Sequence, residues 1–143
     1  MGMGEKALEH FSNGYVCSEA VLKSAMEFQG IDDATVGMIA SAFGSGMARV
    51  EGGLCGAFSG ALMALSLVQG RKSSTESLDP IYTNVAQFKK RFEQAFGSCE
   101  CARLLGFSLS DADAGVKFKE GHCKAQKCDT YVRFAADEVE KML

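Results

Sequence analysis

The segment Leu54 to Val68, LCGAFSGALMALSLV, is apolar over 15 residues apart from Ser59 and Ser66. As a helix it would rise ~22 Å, short of the about 30 Å that a bilayer core requires. It therefore reads as a buried core helix around which the remaining chain must close, and no membrane partner is expected. The 143 residues suffice for that, since one domain of this length buries roughly two thirds of the surface its unfolded form exposes.

What surrounds that helix is also helical. One proline, 16 glycines and no clean period-two alternation argue for helices punctuated by glycine rather than for strands. The first covers Glu5 to Ser12 and stops at Asn13 and Gly14, where glycine takes the left-handed conformation cheaply. A second begins near Tyr15 and ends by Gly30, and a third is capped by Asp32 or Asp33 and stops at Gly44. The glycine-rich GSGMARVEGGL is a loop leading into the apolar helix, Cys55 to about Gln69, and GRKSSTES is a polar linker, the segment most expected to move.

Asp79 caps the next helix, Pro80 takes its first position, where a missing N–H costs nothing, and Gly97 closes it. Ile81, Val85, Phe88, Phe92 and Phe96 keep helical spacing along it. Ser98 caps a short helix through CECARLLG to Gly106; the stretch from Phe107 to His122 has no assigned form, and a last helix runs from about Ala125 to Leu143. The expectation is a single all-α domain over residues 1–143, a compact bundle of six or seven helices without internal repeats.

The 15 basic and 18 acidic residues are mixed along the chain, for a formal charge of −3. With no basic stripe, nucleic acid is not an expected partner. The opening MGMGEKALEHFSNG has no apolar stretch behind a basic head, so a cytoplasmic, reducing compartment is expected. GSGMARVEGG lacks the strand and the lysine of a phosphate-binding loop. Arg49 and Glu51 in that loop are close to Cys55 in sequence; a solvated loop is the simpler reading, and tuning of that thiol the sharper one.

A domain of this size needs no disulfides to compensate for a small core, so its six cysteines call for another reason. Residues three, four and seven apart share a helix face. On that basis Cys17 lies with Ala20, Val21, Ala25 and Phe28; Cys101 lies with Leu104 and Leu105; Cys128 lies with Tyr131, Val132, Ala135, Val139 and Met142. Cys55 shares a face with Ser59 and Leu62, beside a stripe of Gly56, Gly60 and Ala64 small enough to admit another helix, within one chain or in a homodimer.

All four fall at or near a helix start, where unpaired N–H groups and the positive end of the helix dipole favour the thiolate. Burial acts in the opposite sense. Cys99 points about 200° around its helix from Cys101, and Cys123 lies in the polar EGHCKAQKC, so both are expected to be peripheral, with a second, exposed pair as the alternative. One buried cysteine is often just a small hydrophobe; four at helix starts point to one shared thiol site. His122 beside Cys123 and His10 near the end of the first helix are read as solvated.

These features resemble the C_GCAxxG_C_C family, small proteins described as redox-active and named for four cysteines and a CGAxxG motif. The motif stands as CGAFSG, Cys55 to Gly60; Cys17 matches in GYVCSEAVL, Cys101 in CARLLG and Cys128 in CDTYVRFAADEV. The likeness runs from Phe11 to about Val139 and includes FGSGM at Phe43 to Met47. It implies a redox role for Cys17, Cys55, Cys101 and Cys128. A related domain occurs in split-Soret cytochromes beside haem and an iron–sulfur centre, but this chain has no C-x-x-C-H, so covalent c-type haem is not expected. Cys99 and Cys123 lie outside the family pattern.

Three chemistries remain open. Some or all of the four cysteines could act as ligands to an iron–sulfur cluster, which wants four thiolates although another ligand can replace one, for electron transfer or redox sensing with an unidentified redox partner. Two of them could cycle between dithiol and disulfide, joining different helices whose Cα atoms lie within about 7 Å. A non-redox helical module would instead hold zinc, which prefers closely spaced pairs such as Cys99 with Cys101 or Cys123 with Cys128, or simply bury its cysteines.

Overall fold

A computed structural model describes every residue from Met1 to Leu143. The chain forms eight right-handed α-helices: α1 (Met3–Ser12), α2 (Cys17–Phe28), α3 (Ala34–Met38), α4 (Gly56–Gln69), α5 (Asp79–Phe96), α6 (Cys101–Leu105), α7 (Ala114–Glu120) and α8 (Asp129–Met142). A 3₁₀ turn at Ser41–Phe43 and a π-helical turn at Lys124–Cys128 connect them. This is the all-α bundle that glycine punctuation predicts. Seven helices answer to segments expected from the sequence, and α7 forms in the stretch left without an assignment.

The helix starts carry the details. Asp33 caps α3, its carboxylate accepting from the Thr35 N–H at 2.9 Å. The helix nevertheless ends at Met38 and not at Gly44, and past its end the Ser18 hydroxyl donates to the Ala40 carbonyl at 2.7 Å, tying the departing chain to α2. Helix α5 begins at Asp79 itself, one residue earlier than expected, with Leu78 at its cap. Pro80 still falls among the first N–H positions, which have no partner within a helix. The N–H groups of Met3 and Gly4 donate to Glu140 and Asp137 of α8, both at 3.1 Å, so α1 is capped by a tertiary contact rather than by its own sequence.

Helix α4 is the centre of the bundle, packed against α2, α5 and α8. Its small stripe is used within the chain: a Cβ on Gly60 would stand 2.6 Å from the Ser18 carbonyl oxygen of α2. Phe58 of α4 meets Phe88 and Phe92 of α5 at ring separations of 5.5 and 5.6 Å. Phe92 extends the cluster to Phe134 of α8 at 6.0 Å. Phe58, Phe88 and Phe92 are buried, each contributing roughly 1.5–3 kcal/mol on removal from water. The only buried carboxylate, Glu138, is matched by Arg91 at 3.3 Å and Lys141 at 3.0 Å. No helix is long and apolar enough to cross a membrane.

Candidate functional site

Cys17, Cys55, Cys101 and Cys128 come from four separate elements and all line one cavity of about 510 Å³. Each is held there by an identifiable contact. Cys17 is the first residue of α2. That start is fixed by Glu19, whose carboxylate accepts from the Val16 N–H at 3.0 Å and from the Ser41 hydroxyl at 3.2 Å. The Cys17 sulfur then lies directly on the backbone of Gly56, where any Cβ would overlap it.

Cys55 caps α4 and is joined to the Cys101 segment by the backbone. The Cys55 N–H donates to the Cys99 carbonyl at 2.7 Å, and the Cys101 N–H donates to the Gly53 carbonyl at 3.0 Å. These two bonds form an isolated antiparallel bridge between Leu54 and Glu100. Cys101 opens α6, and the far end of that short helix is held from the Cys128 segment: Lys127 Nζ donates to the Leu105 carbonyl at 2.8 Å and the Tyr131 hydroxyl to the Leu104 carbonyl at 3.2 Å. Cys128 itself ends the π turn that leads into α8; such turns recur at functional sites.

The GSGMAR segment, expected as a loop, is one turn of left-handed helix. Ser45, Gly46, Met47, Ala48 and Arg49 all have φ between 55° and 66°. Such a conformation costs a residue other than glycine about 1–2 kcal/mol, and runs of it persist only where the surroundings over-determine them. Here the turn rests on the site. A Cβ on Gly46 would stand 2.8 Å from the Cβ of Cys101, and Ser45, Gly46 and Arg49 line the cavity.

Burial sets the electrostatics. It pushes the Cys101 thiol up to about 11, with the nearby Cys17 adding to the effect. Burial pushes Cys128 up to about 12, helped by Cys17 and Cys101. Cys55 is raised well above the ordinary thiol range by burial and then by Cys17. Cys17 is also raised by burial, although the amides of Ser45, Ser18 and Gly56 facing its sulfur oppose that. At all four thiols burial is the largest influence. Cys17 adds to the upward push on Cys55, Cys101 and Cys128 alike. Tyr131, raised by burial and then by Cys128, Cys55 and Cys101, faces the same group.

Cys99 and Cys123 correct an expectation. Both are buried, not peripheral, and neither lines the cavity. Cys99 serves the site through its carbonyl, which holds Cys55, while its thiol is raised by burial and then by Glu93. Cys123 is tucked under Gly121, whose Cβ would lie 3.2 Å from its sulfur. The two are not an exposed pair. Arg49 reaches the cavity, whereas Glu51 is exposed and outside it. His122 is exposed, as expected; His10 is instead half-buried and pairs with Glu27 at 2.6 Å. Lys124, Tyr15 and Phe118 also line the cavity, with no signal for it in the sequence; the only sequence signal for Tyr131 is its place on the Cys128 face.

All six cysteines are free thiols. No three thiol, imidazole or carboxylate groups converge where one ion would be held, and of the Cys99–Cys101 and Cys123–Cys128 pairs only Cys101 and Cys128 line the cavity. In number and type the four thiols about the cavity do fit an iron–sulfur cluster, which is ligated at separate corners.

No curated protein and no solved structure matches the chain at a significant level. A family model described as "Putative redox-active protein (C_GCAxxG_C_C)" matches residues 15–142, a span that contains all four cavity cysteines and the helices that carry them. The chain belongs to the C_GCAxxG_C_C family.

Proposed function

We propose that this is a redox protein whose working groups are the thiols of Cys17, Cys55, Cys101 and Cys128, acting as ligands to an iron–sulfur cluster in electron transfer or redox sensing. The observation that carries the reading is that four cysteines from four helix starts line one cavity. A cluster supplies one-electron chemistry, and the chain's part is to provide thiolates in a fixed frame. The Leu54–Glu100 bridge, the Cys17–Gly56 contact and the Lys127 and Tyr131 hydrogen bonds are that frame. A half-buried, largely apolar setting also tunes the potential of such a centre.

Dithiol–disulfide exchange between Cys17 and Cys55 is the second reading, favoured by the seat of the Cys17 sulfur on the residue that follows Cys55. Anaerobic purification with an absorption spectrum, iron and sulfide analysis and a free-thiol count separates the two. A brown protein containing iron and sulfide supports the cluster. A colourless, iron-free protein that loses two thiols on mild oxidation supports exchange, and one that contains no iron and keeps all six thiols contradicts both.

A further inference from the structure

The four thiols form only part of the cavity wall. Much of the rest is apolar, with Phe11, Leu109 and Phe118 prominent, and two cations, Arg49 and Lys124, reach it. Neither cation has a carboxylate partner anywhere in the chain. Lys124 Nζ is held instead by the Phe11 carbonyl at 3.0 Å and stands 4.6 Å from the centre of the Phe11 ring. Arg49 is kept at a left-handed φ of 65°, where glycine would be the unstrained choice. Arg49 is exposed and stands at the rim of the cavity, at the end of the left-handed turn that lines it. The one carboxylate in the lining, Asp111, already accepts from the Ser108 N–H at 3.3 Å.

A volume of about 510 Å³ is that of a small-molecule site, and a mostly apolar wall with a few convergent polar groups is its usual make-up. Uncompensated guanidinium and ammonium groups at such a wall select an anion. We propose that the cavity binds a small organic anion beside the thiols, its charged head held by Arg49 and Lys124 and its apolar body packed on Phe11, Leu109 and Phe118. This rests on reading the cavity as the working site, but not on which thiol chemistry operates there. The protein would then respond to, or act on, a ligand rather than only carry electrons.

Calorimetric titration of the full chain with hexanoate, hexyl phosphate and hexanol tests this, alongside the R49Q and K124M variants, with iron and thiol content measured on the same samples. Binding of at least one anion, weakened about tenfold (~1.4 kcal/mol) by either substitution and partly restored by R49K, is the expected result. A preference for hexanoate or for hexyl phosphate assigns the head group. Hexanol binding as tightly as the anions, anion binding indifferent to both substitutions, or no binding of either anion overturns the proposal. Iron content reports separately on the redox reading, so anion binding by an iron-free protein, or a loaded cluster without anion binding, identifies which of the two has failed.

Discussion

The sulfur of Cys17 occupies the space that a side chain at Gly56 would need. One glycine therefore does two things. It lets α4 approach α2, and it admits the Cys17 thiol to the start of α4. Replacing Gly56 with alanine is expected to destabilise the fold by about 1–3 kcal/mol through overpacking and to displace Cys17 from its neighbours. Gly115, in α7 with nothing near its missing Cβ, is the control: G115A should be neutral or stabilising by up to about 1 kcal/mol. Urea denaturation of both variants checks the pair.

The left-handed turn makes a prediction of unusual sign. Glycine substitutions normally destabilise, but Ala48 is exposed with a φ of 60°. Relief of about 1–2 kcal/mol of local strain should outweigh the added freedom of the unfolded chain. A48G is expected to raise stability by about 0.5–1 kcal/mol, read as an increased denaturation midpoint. A lower midpoint would mean that the turn is not left-handed in solution.

The Tyr131 hydroxyl ties α8 to the Leu104 carbonyl of α6, linking the Cys101 and Cys128 segments. Y131F removes one hydrogen bond and should cost about 0.5–1.5 kcal/mol. K127M, which strips the neighbouring Leu105 carbonyl of its donor, should cost a similar amount. If the two act on one joint, the double variant will lose less or more than the sum, and a double-mutant cycle measures the difference.

The raised thiols fix how metal-free stability depends on pH. In the unfolded chain a cysteine ionises near pH ~8.5, whereas folded Cys101 and Cys128 hold their protons to about 11 and about 12. Above pH ~8.5 the unfolded state thus binds fewer protons than the folded one, and stability falls as pH rises. It should be fully present below that pH and decline steadily up to about 12, where Cys128 gives up its proton, and C128S should make the decline shallower. Denaturation midpoints of metal-free protein between neutral and alkaline pH test the sign.

Much of this was legible in the chain. Spacing alone put Cys17, Cys101 and Cys128 on inward faces and all four cavity cysteines at helix starts, because helical periodicity is local. The burial of Cys99 and Cys123 was not legible. Cys99 is turned inward by a backbone bridge to Cys55, a contact between distant segments that no periodicity encodes, and Cys123 is enclosed by a turn ending in His122 at a φ of 49°. The left-handed form of Ser45–Arg49 was also hidden, since only one of its five residues is a glycine. Helix α7 lies in a stretch with two serines, two aspartates and two glycines, a composition that reads as loop until packing beside the cavity makes it a helix.

The central claim is that four thiols work as one centre while the other two do not. Anaerobic iron and sulfide content, measured for the wild-type chain and for all six single Cys→Ser variants, tests it most directly. The account predicts stoichiometric iron and sulfide in the wild type, in C99S and in C123S, with sharp loss in C17S, C55S, C101S and C128S. Equal iron content across all six variants, or its loss in C99S and C123S alone, would contradict it.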